Sequence, residues 1–248
     1  MEEKINIFIS ADKPFVPLVK NSCYKIITRA QEMENDSELE VIRCGNDGDK
    51  LNENFYGVFY MLNYLSENVK LPKYVGVCNN DRYFGFLDDI PDMDEMFEDA
   101  DCVITKPINL RTNIIEQYGV CHNIEDLIIV KDILEKRYKT YQEPTQKFLN
   151  GNIFIPNDMF IMKKNDFKKW CKFVSGVLDK YLKIVGDDID KRIEDNSDKY
   201  IKYFHPNNTK EYQYKIGAYL TERLTNIFIM KNFKQMKIYN TIIDSKTE

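Results

Sequence analysis

The strongest signal for chemistry is a polar run directly behind a short apolar one: Tyr74-Val75-Gly76-Val77-Cys78 leads into Asn79-Asn80-Asp81-Arg82. An amide and a carboxylate two residues apart on an extended turn point the same way. With a hard divalent cation, Mn²⁺ or Mg²⁺, Asn79 and Asp81 would bridge to the oxygens of a diphosphate. Arg82 either adds a fixed positive charge there or forms a surface ion pair with Asp88 or Asp89. A second pair, Glu222-Arg223, lies in an apolar helical stretch. On a helical wheel Arg223 falls on the side of Ile216, Leu220, Leu224 and Ile227, while Glu222 points away. An arginine on an apolar face is either paired in the interior or aimed into a site. The two histidines, His122 beside the Asn123 cap and His205 in Phe204-His205-Pro206-Asn207, are open to packing as well as to chemical roles.

The elements that must position these groups alternate between strand and helix. Ile5 to Ser10 and Leu39 to Arg43 read as strands, the second followed by the turn cluster Gly45-Asn46-Asp47-Gly48. From Asn52 to Glu67, Phe55, Val58, Phe59, Leu62 and Leu65 recur at helical spacing. Pro72 stops that pattern, and Tyr74 to Cys78 is a run of the kind buried mid-sheet. Asp101 to Thr105 makes another strand, Asn123 to Tyr138 a helix capped by Asn123 with Asp126 three residues on, and Met159 to Met162 a strand opened by Asn157-Asp158. Helices over Asp166 to Val185 and Ile216 to Met230 flank an irregular stretch, Gly186 to Tyr214. The class is α/β: a mixed, mainly parallel central sheet flanked by helices, with a helical C-terminal part. In such sheets ligands bind beyond the carboxyl ends of the strands, which puts the Asn79 to Arg82 run in the right place. Asp47, Asp49, Lys50 and Asn54 follow the second strand and open the next helix, so their donors can converge on a ligand there too. The aromatic row Phe55, Tyr56, Phe59, Tyr60 and Tyr64 reads as core with a wet edge, although Tyr faces also stack on sugar rings.

An ordered set of segments carries a resemblance: IFISADKPF, GDKLNENFYGVFYMLNY, YVGVCNNDRYFGF, HNIEDL, DMFIMKKNDF and IGAYLTERL. The chain resembles a family of bacterial and viral glycosyltransferases of capsular and surface polysaccharide synthesis with a GT-A type fold. Where that family usually shows HYRRYF, this chain has NNDRYF, keeping Arg82, Tyr83 and Phe84. Where an Asn usually precedes the MFIM strand, it has Asp158. Both departures add a carboxylate, and the first brings the segment closer to a metal-binding DxD. The resemblance implies a single domain over 1–248, with a nucleotide-sugar half (1–110) and an acceptor-side, helical half (111–248). It implies an inverting, metal-assisted transfer from a UDP-linked or other nucleoside diphosphate sugar to a glycan acceptor, in surface polysaccharide or glycoprotein glycan synthesis. The departing diphosphate then needs charge stabilisation, assigned to Asp81 and Asn79 through the cation with Arg82, Asn80 and Arg223 around it. Ser10, Ala11, Asp12 and Lys13 sit where the family type holds base and ribose. The acceptor hydroxyl needs a base, Asp158 first and Glu222 second, with His122 near the acceptor. A late histidine in such enzymes binds metal, a role open to His205.

Composition narrows the field further. With 40 acidic against 35 basic residues and a net charge of -5, the chain lacks the clustered cationic excess of a nucleic-acid binder. Aromatic residues make up 13% of it, too many for a disordered polymer. Six cysteines without CxxC or Cys/His spacing suggest neither a zinc site nor a disulfide framework, so reduced, mostly buried thiols are expected. No apolar run approaches a membrane span, and MEEKINIFIS lacks a cleavage site and a full apolar core. The expectation is a soluble, cytoplasmic protein, in the host cytoplasm for a viral source. A non-catalytic nucleotide-sugar or glycan binding module on the same fold is the alternative. A nucleotidyltransferase would want a glycine-rich basic loop after the first strand, which Ser10 to Phe15 is not.

Overall fold

A computed structural model describes residues 3–11, 13–30, 38–45, 55–186, 191–192 and 214–245. Asp12, Asp47, Asp49, Lys50, Asn54 and His205 lie outside the described residues, as does most of the stretch between Gly186 and Tyr214.

The apolar runs form the middle of the sheet. β1 (Ile5–Ser10) is buried throughout, and so is β4 (Tyr74–Asn79) up to its last residue; strands covered on both faces have no polar alternation to offer. They pair in parallel, Ile5 with Tyr74 through Ser10 with Asn79. β2 (Tyr24–Thr28) pairs in parallel with β1, and β3 (Glu40–Arg43) with β2. On the other flank, β9 (Phe160–Lys163) runs antiparallel to β4 and to β6 (Cys102–Thr105), and β10 (Met236–Tyr239) closes the edge in parallel with β6. β5 (Arg82–Phe84) folds back antiparallel on β4 through Asn80 and Asp81 and pairs with β11 (Thr241–Ile243). β7 (Ile108–Asn109) and β8 (Ile153–Phe154) make a separate ribbon. The mixed, mainly parallel sheet is the one expected from sequence.

Seven α-helices lie among the described residues: α1 (Val58–Asn68), α2 (Met93–Asp99), α3 (Ile114–Cys121), α4 (Ile124–Arg137), α5 (Gln142–Asn150), α6 (Lys164–Val185) and α7 (Ile216–Asn232). Strand side chains alternate between two cores. Phe8, Val75, Val77, Phe160 and Met162 face the helices α1 and α3 to α7, whereas Ile7, Ile9, Cys78, Val103 and Ile161 face a smaller core with α2. Trp170 of α6 is fully buried against Phe59, Phe160 and Phe167, and its Nε1 donates to Thr225 Oγ1 at 3.1 Å. All six cysteines are free, four of them buried.

Three local expectations are corrected. The helix read from Asn52 is interrupted at Gly57, whose φ of 52° caps α1 from the left-handed region. The polar run after β4 is a hairpin turn rather than an extended exit. Asn123 does cap α4, accepting from the Glu125 N–H at 3.2 Å, but Asp126 is buried, accepting from Tyr181 Oη at 2.8 Å and pairing with Arg192 at 2.7 Å.

The start of α7 rides on the segment leading into α1. Gly57 faces Ala218, and a Cβ at Gly217 would meet the Phe55 ring and carbonyl at 2.7 Å. Helix propensity favours alanine over glycine by about 1 kcal/mol, while overpacking against an immovable carbonyl costs about 1–3 kcal/mol. Packing decides the sign: Gly217→Ala is expected to lower unfolding stability in urea titrations, and a stabilised variant would refute the close approach.

Candidate active site

The β1–β4 register sets Ser10 and Asn79 side by side at the carboxyl edge of the sheet. Ser10 Oγ donates to Asn79 Oδ1 at 3.0 Å, and Asn79 Nδ2 donates to the Asn157 carbonyl at 3.3 Å. Arg82 stands opposite Asn79 across the hairpin. Its Nη1 donates to Asn157 Oδ1 at 2.9 Å, and its Nη2 pairs with Asp81 Oδ2 at 3.2 Å. The hairpin turn is pinned at three places. The Asn80 N–H donates to the Ser10 carbonyl, Tyr83 Oη donates to the Asn80 carbonyl, and the Asp244 N–H donates to the Asp81 carbonyl. The RYF part of the motif therefore divides: Arg82 reaches the edge, while Tyr83 and Phe84 are fully buried core.

The Asn157 N–H donates to Glu222 Oε1 at 2.8 Å. Its N–H, carbonyl and side-chain oxygen are thus each held by a different element: α7, β4 and β5. This anchors an unusual backbone. Asn157 has φ 69° and Asp158 φ 51°, two consecutive left-handed residues. Asn and Asp pay least for that conformation among residues with a Cβ. Such conformations persist where surrounding contacts over-determine them, and they cluster at functional sites.

Asp158 is partly exposed, yet its Oδ1 is out of reach of water and has no hydrogen-bond partner. Burial, and then the charge of Glu222, push its carboxyl up to about 8, against the pull of the Thr225 hydroxyl and Arg223.

Arg223 is only 2% exposed. Its Nη1 pairs with Glu222 Oε2 at 2.7 Å and donates to the Tyr219 carbonyl, and its Nη2 donates to Gln117 Oε1 of α3 at 2.8 Å. The guanidinium lies between the Tyr118 and Phe154 rings, 5.0 and 4.8 Å from their centroids. One turn on, Asn226 accepts from the Ile155 N–H and donates to the Ile155 carbonyl, both at 2.9 Å, fixing the approach to Asn157.

A family model matches residues 6–234 of the chain. The protein belongs to DUF4422, a family described as a domain of unknown function. No curated protein sequence matches it. Among solved structures, this DUF4422 chain is similar to the apo form of WbbM, a bifunctional glycosyltransferase, with a TM-score of 0.67 and 17% identity. The match covers 98% of this chain and 46% of WbbM, so the chain spans less than half of that protein's length. The fold of this DUF4422 chain is accordingly GT-A-like.

Of the residues singled out from sequence, Ser10, Asn79, Asn80, Asp81, Arg82, Asp158, Glu222 and Arg223 come together at this edge. Ala11 is buried and its N–H donates to the Ile27 carbonyl, while Lys13 is exposed. Arg82 does not pair with Asp88, which instead accepts from the Lys20 and Asn21 N–H groups. His122 ends α3, and its ring, buried, stacks on Tyr219 at 3.9 Å and lies beside Tyr118. The Tyr118 ring it lies beside is also the one beneath the Arg223 guanidinium. Asn157, Gln117 and Asn226 were not singled out as site residues from sequence; only the Asn157-Asp158 turn signal pointed here. A cleft of about 680 Å³ lies at the opposite, amino end of the sheet, among Lys4, Lys70, Lys73, Lys163 and Lys164, away from these groups.

An acid whose folded pKa lies above its unfolded value, about 3.9, adds stability that is complete below that value and is lost as pH rises through about 8. Asp158→Asn keeps the left-handed turn and removes the titration. Its melting temperature should therefore gain on the wild type progressively from pH 4 to 8. A difference independent of pH would show that Asp158 is not held in this way.

Proposed function

We propose that this DUF4422 domain is a glycosyltransferase, moving a sugar from a nucleoside diphosphate sugar, UDP-linked in the simplest case, to a hydroxyl of a glycan acceptor with inversion. One observation carries the reading. A cation, Arg82, and a high-pKa carboxylate, Asp158, are held at the carboxyl edge by contacts to the same Asn157 turn, and Arg82 Nε and Asp158 Oδ1 are buried with no hydrogen-bond partner. One is a donor and the other an acceptor, as a diphosphate and a hydroxyl would require. The similarity to WbbM, a bifunctional glycosyltransferase, and the motif resemblance support the same class.

In the proposed step the acceptor oxygen forms its bond to the anomeric carbon as the bond from that carbon to the diphosphate oxygen breaks. The electron pair leaves with the diphosphate, beside Arg82, and the acceptor proton passes to Asp158. Glu222 is a positioning residue, holding the Asn157 N–H with one oxygen and Arg223 with the other. Surface polysaccharide or glycoprotein glycan synthesis is the setting this reading favours.

Among the described residues, Asn79 and Asp81 as placed do not fit a resident Mn²⁺ or Mg²⁺ well. Among the described residues no group of three His, Cys, Asp or Glu could hold an ion. Asp81 faces Arg82, and Asn79 Oδ1 accepts from Ser10. The proposed step therefore uses Arg82 for the leaving charge and routes nothing through a metal.

The tests are donor hydrolysis and sugar transfer with UDP-, GDP- and dTDP-sugars. Arg82→Ala should lower kcat/KM by about 10²-fold or more. The kcat/KM profile should rise with pH to a limb near 8, the value of Asp158, and Asp158→Asn should abolish transfer while remaining folded. Turnover should be the same in EDTA as in Mn²⁺; a strict Mn²⁺ requirement that depends on Asp81 would make that residue a ligand instead. A second reading, a non-catalytic nucleotide-sugar or glycan binding module, draws on the closure of Asp158 Oδ1 to water. Binding of a donor without any turnover would favour it.

A further inference from the structure

A second concave surface lies on the helical side of the sheet. Tyr60 and Tyr64 project from α1, with Tyr56 from the segment before its Gly57 cap, into a groove of about 500 Å³ completed by Ser175 and Asp179 of α6. Positions four apart on a helix rise by about 6 Å, so Tyr60 and Tyr64 stand as successive rungs along the groove, and Tyr56, before the Gly57 interruption, adds a third ring at its end. Between the rungs stand Asn63 and Glu67. Ser175 Oγ donates to Asn63 Oδ1 at 3.0 Å, Asn63 Nδ2 donates to Glu67 Oε1 at 3.3 Å, and Tyr56 Oη donates to Asp179 Oδ1 at 3.4 Å. The two longer bonds, at the rim, are ones that a ligand's hydroxyls can replace.

The chemistry of the lining selects the ligand. Among the described residues that lining holds two carboxylates, Glu67 and Asp179, and no Lys or Arg, a balance that disfavours phosphates and uronates. Half-exposed tyrosine faces beside amide, hydroxyl and carboxylate groups suit a chain of rings with apolar faces and hydroxyl edges. The groove also points at the site. Tyr60 Oη donates to the carbonyl of Gly45, two residues past the carboxyl end of β3. The Phe55–Gly217 contact brings the same end of the ladder to the first turn of α7, whose next turns carry Glu222 and Arg223.

We infer that the α1–α6 groove binds a neutral oligosaccharide, the part of the acceptor glycan beyond the sugar that reacts. The inference rests on the glycosyltransferase reading for the word acceptor, but not for the binding itself. The test uses the whole chain with neutral tetrasaccharides, maltotetraose and a galactotetraose, against a tetragalacturonate control, by titration calorimetry and saturation-transfer NMR. At least one neutral tetrasaccharide should bind and the uronate should not. Tyr64→Ala should weaken binding about tenfold, Tyr64→Phe should retain it, and donor hydrolysis without acceptor should be unchanged in both. Asp179 is exposed, so Asp179→Ala, also expected to weaken binding, serves if Tyr64→Ala unfolds. Absence of neutral tetrasaccharide binding, equal binding by Tyr64→Ala, or preference for the uronate would overturn the inference. Tyr64-dependent binding in a protein that turns over no donor would leave the groove standing and remove the catalytic reading.

Discussion

The carboxyl edge depends on one hydrogen bond, from the Asn157 backbone N–H to Glu222. Asn157 and Asp158 occupy a conformation that costs most residues about 1–2 kcal/mol each, and a free loop would relax out of it. The bond to α7 removes that option, and the bonds from Asn79 and Arg82 hold the same residue from the sheet side. The placement of Asp158 beneath α7 follows from this clamp, not from any preference of its own: a carboxylate with an unpartnered oxygen would otherwise turn toward water.

The clamp in turn needs a rigid Glu222, and that is the service of Arg223. Burying a guanidinium is costly unless its donors are satisfied. Here one carboxylate, one amide and one backbone carbonyl are brought to its two Nη atoms from two helices, with aromatic rings on both sides, while its Nε is buried without a hydrogen-bond partner. The arrangement couples α3 to α7, with the His122 ring between Tyr118 and Tyr219. The glycine contact between α7 and the segment before α1 is the mechanical counterpart, bringing that helix close enough for the pair to reach the edge.

Much of this was legible in the chain. Doubly covered strands are uninterrupted apolar runs, so β1, β4, β6 and β9 stood out. β2 carries Lys25 at its second position, bridging to Glu40 of β3, and β10 and β11 expose Met236, Ile238 and Ile243 at the sheet margin, so no uninterrupted apolar run marks them. Polar residues at the ends of buried strands marked Arg82 and Asp158, and a charge on an apolar helix face marked Arg223. What they touch was not readable: Gln117 is 106 positions from Arg223, and nothing local in α3 marks it. The reading of Asn79 and Asp81 as two ligands pointing together assumed an extended turn. A three-residue strand turned the chain back and gave each a different partner. Asp126 looked like a cap because its true partners, Tyr181 and Arg192, are 55 and 66 residues away.

The left-handed pair also bears on how this site can drift. At position 158 the backbone admits Gly, Asn or Asp at little cost, and Asn and Asp occupy the same volume. Exchange between them changes a titratable group into a permanently neutral one without moving an atom of the fold. If Asp158 takes the proton as proposed, that capacity is a trait separable from the architecture, gained or lost in one substitution.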